Sequence, residues 1–172
     1  MTFKAARPIT KQVKVVEVGP RDGLQNESGP MLGAAIKSTL INQLAAAGLT
    51  HIEAAAFVHP RWVPQMANSA EVMQLITRHN HVSYSALTPN MQGLERALEA
   101  GVDEVAVFGA ASESFSQQNT NCSIAEALTR FEPVAKAALD AGIKVRGYVS
   151  VVVDCPYEGV VSPSAVAQVA EQ

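Results

Sequence analysis

The chain has 172 residues, of which 48% are apolar and 17% charged, and its net charge of -3 is small. This suits a single globular domain with a sizeable core. No basic stripe suggests nucleic acid, no apolar run is long enough to span a bilayer, and no continuous apolar stretch follows the basic residues of Met1 to Lys14 as a secretory signal would require. That segment is also too short and too poor in arginine for an organelle presequence. With Cys122 and Cys155 too few for a disulfide framework, a cytoplasmic location is the simplest expectation.

Short β-branched runs alternate with helix-like segments. The first run, Val13 to Val18, stops at Gly19-Pro20, and a loop from Arg21 to Pro30 leads to a helix expected from Leu32 to Ala47, closed by Gly48. The second run, His51 to Val58, is followed by a loop interrupted by Pro60 and Pro64 and by a helix from Ser69 to Arg78. The third, Val82 to Leu87, halts at Pro89 before a helix from Met91 to Ala100, ended by Gly101. The fourth, Glu104 to Phe108, precedes a polar loop, Ala110 to Ser123, and a helix from Ile124 to Ala141, ended by Gly142. The fifth, Val145 to Val153, leads through Asp154 to Gly159 to Ser162-Pro163, the N-cap and first turn of a last helix.

Strand–loop–helix units in series predict an α/β fold with right-handed crossovers, and near-continuous apolar strands suit a parallel sheet buried on both faces. A doubly wound sheet and a (β/α)8 barrel both fit. No G-x-G-x-x-G follows the first strand, which weakens a dinucleotide-binding version of the former. The unusual polar residues cluster after the strands, where a barrel carries its active site. About five units are present where a barrel has eight and roughly 250 residues. Residues 1–172 are therefore expected to be the N-terminal portion of one barrel domain.

The densest chemistry lies in Glu17-Val18-Gly19-Pro20-Arg21-Asp22-Gly23-Leu24-Gln25-Asn26-Glu27. A carboxylate at a strand's C-terminal end suits a hard divalent cation such as Mg2+ or Mn2+, and the adjacent arginine offers a rigid fork of donors for an oxyanion. By themselves these residues equally make a surface Asp–Gly turn with a salt-bridged arginine.

That segment resembles the signature of 3-hydroxy-3-methylglutaryl-CoA lyases. Phe57-Val58 with Trp62-Val63-Pro64-Gln65-Met66 is similar to the family's second loop, and Leu87-Thr88-Pro89-Asn90 to its third. Phe108-Gly109-Ala110-Ala111-Ser112-Glu113 with Asn121-Cys122-Ser123 resembles its fourth. Arg146-Gly147-Tyr148-Val149-Ser150 with Cys155-Pro156-Tyr157-Glu158-Gly159 resembles its fifth. The resemblance runs from Lys14 onward. It implies a metal-dependent (β/α)8 barrel that cleaves an acyl-CoA thioester, 3-hydroxy-3-methylglutaryl-CoA, to acetoacetate and acetyl-CoA with Mg2+ or Mn2+ as cofactor. It implies that Asp22 ligates the metal, that Arg21 stabilises the enolate, and that Glu53, at the end of the second strand, stands near Arg21. Gln25 would lie close to the metal, Tyr148 would line the substrate pocket and Asn119 the substrate-binding region.

The family's further ligands, a His-x-His pair and an asparagine, and its mobile cysteine loop belong to later strands. The 172-residue chain alone is expected to be inactive as a lyase and not to behave as a well-ordered monomer. Ala54-Ala55-Ala56 stands where relatives often carry hydroxyl residues. The rival expectations are a related synthase condensing acetyl-CoA with an oxo acid, and a non-catalytic half-barrel that associates with other chains; a homo-oligomer is compatible with either enzyme. His79-Asn80-His81 has metal-pair spacing but precedes its strand, on the face opposite catalysis. Cys122 and Cys155 are expected to be structural thiols.

Overall fold

The computed structural model describes residues 13–172. The segment inspected for targeting signals lies, through residue 12, outside them. Four strands, β1 (His51–Ala56), β2 (Ser83–Leu87), β3 (Glu104–Ala110) and β4 (Lys144–Ser150), form one sheet in the order β1-β2-β3-β4, every pair parallel. Helices α1 (Ala34–Ala46), α2 (Ser69–Leu75), α3 (Met91–Glu99), α4 (Glu113–Thr120) and α5 (Ile124–Asp140) precede or connect the strands, and α6 (Pro163–Ala170) follows them.

One face of the sheet packs on helices. Ile52, Tyr84, Ala86 and Val105 meet Ile41, Val72, Leu94, Ala97, Val134 and Ala138 in the main core. Strand alternation sends the intervening residues to the other face, where Ala56, Leu87 and Ala106 join Met66, Phe108 and Tyr148 in a smaller cluster. Burial on both faces explains the apolar character of β1 and β3, whereas β4 has no fully buried residue. Gly48, Gly101 and Gly142 each take a left-handed φ, and their N–H groups bond to carbonyls of the preceding turns, ending α1, α3 and α5 at the predicted places.

Three expectations change. Of Val13 to Val18, only Glu17 pairs with a strand, through a single parallel bridge to Ile52, while Val13 and Val15 stand exposed. The expected polar loop after the fourth strand contains α4. Its cap signals were in the sequence, since the Ser112 hydroxyl accepts from Phe115 N and Asn121 closes the helix at φ 51°. The last apolar run does not remain a strand to Val153. Val151 turns the chain with φ 55°, and an antiparallel hairpin follows, β5 (Asp154–Cys155) with β6 (Gly159–Val160).

That hairpin rests on α4. Ser112 Oγ lies 3.0 Å from Cys155 Sγ, the Glu158 carboxylate accepts from Ser114 N at 2.6 Å, and the Tyr157 and Phe115 rings are 6.3 Å apart. No helix among the described residues is long and apolar enough to cross a membrane.

Candidate active site

The chain leaves Glu17 in a tight π-turn, Gly19–Gly23, in which the N–H groups of Arg21, Asp22 and Gly23 all point at Val18 O. The Glu17 carboxylate accepts from Gly19 N at 2.6 Å, and a Cβ on residue 19 would stand 2.7 Å from that same oxygen. A side chain there would push the flexible Glu17 carboxylate aside and cost that hydrogen bond, while the turn itself fixes the two residues that follow Pro20.

Arg21 is nine-tenths buried, whereas the Asp22 side chain is 55% exposed. The Arg21 guanidinium runs along the face of the sheet away from the helices. Its Nε donates to Glu53 Oε1 and its Nη1 to Asp22 Oδ1 at 2.9 Å. Glu53 is fully buried, and its second oxygen accepts from the Tyr148 hydroxyl at 2.6 Å. The Arg21 guanidinium carbon lies 6.0 Å from the Tyr148 ring centroid. The structure thus brings Arg21, Asp22, Glu53 and Tyr148 together on one face of the sheet. Glu53 is not at its strand's end but is the third residue of β1, just before a register shift. The length of the arginine lets it reach down to that level.

Burial pushes the Tyr148 hydroxyl well above its ordinary pKa, and the hydrogen bond to Glu53 and that residue's charge push it the same way. Tyr148 is a neutral donor at physiological pH. Glu53, with both oxygens engaged, fixes the arginine in place while the guanidinium keeps unused donors.

Gln25 stands on the same segment, and its Oε1 is buried without a hydrogen-bond partner. An orphaned acceptor close to an exposed carboxylate is compatible with hard-cation chemistry. Among the described residues no three His, Cys, Asp or Glu side chains cluster as a metal site, so the oxygens present would form part of one. Asn119 is exposed on α4 and makes no described hydrogen bond to this group. Trp62, on the loop following β1, is 85% exposed. His79 and His81, with rings 5.6 Å apart, are exposed at the N-terminal end of β2.

Arg146 had no assigned role in the sequence. It donates through Nε at 2.7 Å, and also through Nη2, to Glu104 Oε1, and its guanidinium carbon lies 6.0 Å from the Tyr148 ring centroid. The signal was the two-residue spacing of Arg146 and Tyr148, which puts both on one face of a strand.

Burial acts to raise the Cys155 thiol, but the Ser112 hydroxyl and the backbone N–H groups of Tyr157 and Glu158 outweigh it and set the thiol below its ordinary pKa. Cys155 is 1% exposed, and no contact links it to the Arg21 cluster.

A family profile described as HMGL-like matches residues 12–172. The hydroxymethylglutaryl-CoA lyase of Pseudomonas mevalonii is 60% identical over 160 residues, covering 93% of this chain and 53% of that protein. The mitochondrial hydroxymethylglutaryl-CoA lyase of Bos taurus is 56% identical over 162 residues, covering 94% and 50%. The crystal structure of hydroxymethylglutaryl-CoA lyase from Pseudomonas aeruginosa matches with a TM-score of 0.89 at 57% identity, over 93% of this chain and 53% of that one. A lyase structure from Acinetobacter baumannii in complex with coenzyme A and 3-methylmalate matches with a TM-score of 0.85 at 34% identity, over 91% and 50%. The chain spans about half the length of these relatives.

Proposed function

Because the chain belongs to the HMGL-like family, we propose that it is the N-terminal portion of a single (β/α)8 lyase domain that cleaves 3-hydroxy-3-methylglutaryl-CoA to acetoacetate and acetyl-CoA. The observation that carries this is the buried Arg21, held by Glu53 and Tyr148 beside the exposed Asp22 carboxylate. The reaction removes the proton of a tertiary hydroxyl and breaks a C–C bond, and the bonding electrons pass to the thioester side as an enolate. The charge develops there in the transition state, where a preoriented cation has most effect.

In this reading Arg21 is the cation that meets the enolate oxygen. It is rigid, already desolvated and barred by Glu53 from swinging away. Tyr148 closes one side of the pocket, and its hydroxyl is committed to Glu53 rather than to proton transfer. Asp22 holds a divalent cation, Mg2+ or Mn2+, and Gln25 supports its surroundings. When bound, such an ion supplies Lewis acidity toward substrate oxygens. Asn119 contributes to substrate binding from α4. The coenzyme A complex of the Acinetobacter baumannii relative supports an acyl-CoA thioester as substrate. Two buried free thiols suit a reducing cytoplasm.

Metal titration and steady-state kinetics of the whole protein separate these roles. Asp22→Ala should lose both Mn2+ affinity and turnover. Arg21→Met should keep most of the Mn2+ affinity while turnover falls by about 10²- to 10³-fold, as when one oxyanion donor is removed. Equal loss of Mn2+ binding in both variants would overturn the division of labour.

A further inference from the structure

Behind the site lies a charged side chain for which the lyase chemistry has no use. Lys37, the fourth residue of α1, is 3% exposed. Among the described residues no carboxylate lies within ion-pair distance of it. Burial depresses its pKa. Its place near the positive end of a helix is also unfavourable for a cation. A methionine of similar length would bear neither cost.

The ammonium group gathers oxygens. It donates to the backbone carbonyl of Gln65 and, at 2.8 Å, to Asn68 Oδ1. Both partners belong to the segment after β1, and both turn their amides onto another stretch of chain. Gln65 Nε2 reaches the carbonyls of Glu27 at 3.2 Å, Gly29 at 3.3 Å and Pro30 at 3.4 Å, and its Oε1 receives Leu32 N at 3.4 Å. Asn68 Nδ2 donates to Leu32 O at 2.9 Å. The stretch from Glu27 to Leu32 has no regular structure of its own. It continues directly from the Asp22 turn, to which Asn26 is tied through Nδ2 to Asp22 O at 2.9 Å.

We propose that Lys37 is a positioning residue: through Gln65 and Asn68 its ammonium locks the loop behind Asp22, and so sets where that carboxylate is held for a divalent cation. The lock joins the loop after β1, the strand that supplies Glu53, to the loop that supplies Arg21 and Asp22. It therefore fixes two parts of one site against each other. The consequence for cation affinity rests on the lyase reading, whereas the ordering of the loop does not.

The test compares Lys37→Met, Gln65→Met and the double variant of the whole protein by hydrogen exchange, Mn2+ titration and thermal melting. Amides between residues 22 and 32 should exchange about tenfold faster in either single variant, as for the loss of one buried hydrogen bond. Amides of β2 and β3 should be unaffected. Mn2+ affinity should fall about tenfold, the scale for a group that supports a metal ligand. The double variant should be no worse than the worse single one, because both cut the same lock.

A uniform rise in exchange across the sheet would make Lys37 a packing residue and overturn the proposal. So would a loosened loop with unchanged Mn2+ affinity. If Lys37→Met does not fold, Gln65→Met, whose surroundings are less demanding of charge, decides the same question. Selective loosening and weakened Mn2+ binding in a protein that releases no acetoacetate would support the lock while removing the lyase reading.

Discussion

Two Arg–Glu pairs stand on the same face of the sheet and at one level of it, since Glu53 and Glu104 both pair with Ser85, yet they serve opposite purposes. In one, Glu104 begins β3 and takes two donors from Arg146 on a single oxygen, with the Lys14 ammonium 3.9 Å from the other. Cations surround one carboxylate. In the other, Glu53 gives one oxygen to Arg21 and the other to Tyr148, and Arg21 extends past it to the exposed Asp22. There the carboxylate serves the arginine. The Glu104 pair is closed on itself, whereas the Glu53 pair leaves arginine donors unused beside the exposed Asp22 carboxylate. A buried ion pair is weak evidence for either stability or function by itself. What separates the two here is which member has hydrogen-bonding capacity left over.

Glu53→Ala and Glu104→Ala should break the comparison most sharply. Glu53→Ala leaves the buried Arg21 without its carboxylate and should lose about 3 kcal/mol or more in urea unfolding of the whole protein, whereas Glu104→Ala should lose less, because the Arg146 side chain is 20% exposed. Only Glu53→Ala should also reduce turnover, by about 10²-fold, because Arg21 is then free to swing from its position. Glu104→Ala should change kcat by less than about twofold. A comparable loss of turnover in both would mean that the inner face works as one unit.

A smaller effect concerns Tyr148. Burial, then the Glu53 hydrogen bond, then the Glu53 charge hold its hydroxyl up. In Glu53→Gln the charge is gone and burial remains. Phenolate absorbance should therefore appear at lower pH than in the unaltered protein, but still above the range of an exposed tyrosine. In Glu104→Gln the alkaline titration should barely move.

The smallest effect tests whether place or contact decides. Ser123 caps α5 in a reciprocal capping box with Glu126. Ser123→Ala should cost about 1 kcal/mol and leave turnover intact, because the box touches none of the Arg21 cluster. The Ser123 backbone N–H and then its hydroxyl hold the Glu126 carboxyl below its ordinary pKa. A depressed folded pKa contributes stability that is complete above the unfolded value, about 4.3, and is lost as pH falls through the folded one. The deficit of the variant should therefore narrow as the pH falls from about 5 to about 3 in urea titrations.

Much of this arrangement was legible because its signals are local. Helix ends at Gly48, Gly101 and Gly142 follow from glycine's freedom at left-handed φ, and parallel pairing follows from apolar strands joined by helices. Arg21 and Asp22 stood out as charges at a strand's end. The lock of Lys37, Gln65 and Asn68 was not legible, because it joins residues about thirty positions apart through backbone carbonyls, which no residue type announces. Arg146 was visible as a residue and silent as a partner, since Glu104 lies 42 positions away. Helix α4 was not legible because its Glu113–Thr120 sequence is polar except for Phe115 and shows no apolar stripe, while its evidence lay in two end residues, Ser112 and Asn121. Val151 defeated the strand expectation by adopting a backbone region that β-branched residues avoid.

The chain contains one tryptophan, Trp62, placed on the loop that also carries Gln65, at the C-terminal end of β1. Its indole is 85% exposed, so its fluorescence starts from an environment close to water. Any ligand, ion-driven shift or neighbouring chain that covers this rim will dry the ring and move its emission to shorter wavelength, while events at the N-terminal end of the sheet leave the emission unchanged. The molecule thus carries its own single-site optical gauge for the face on which its chemistry is expected.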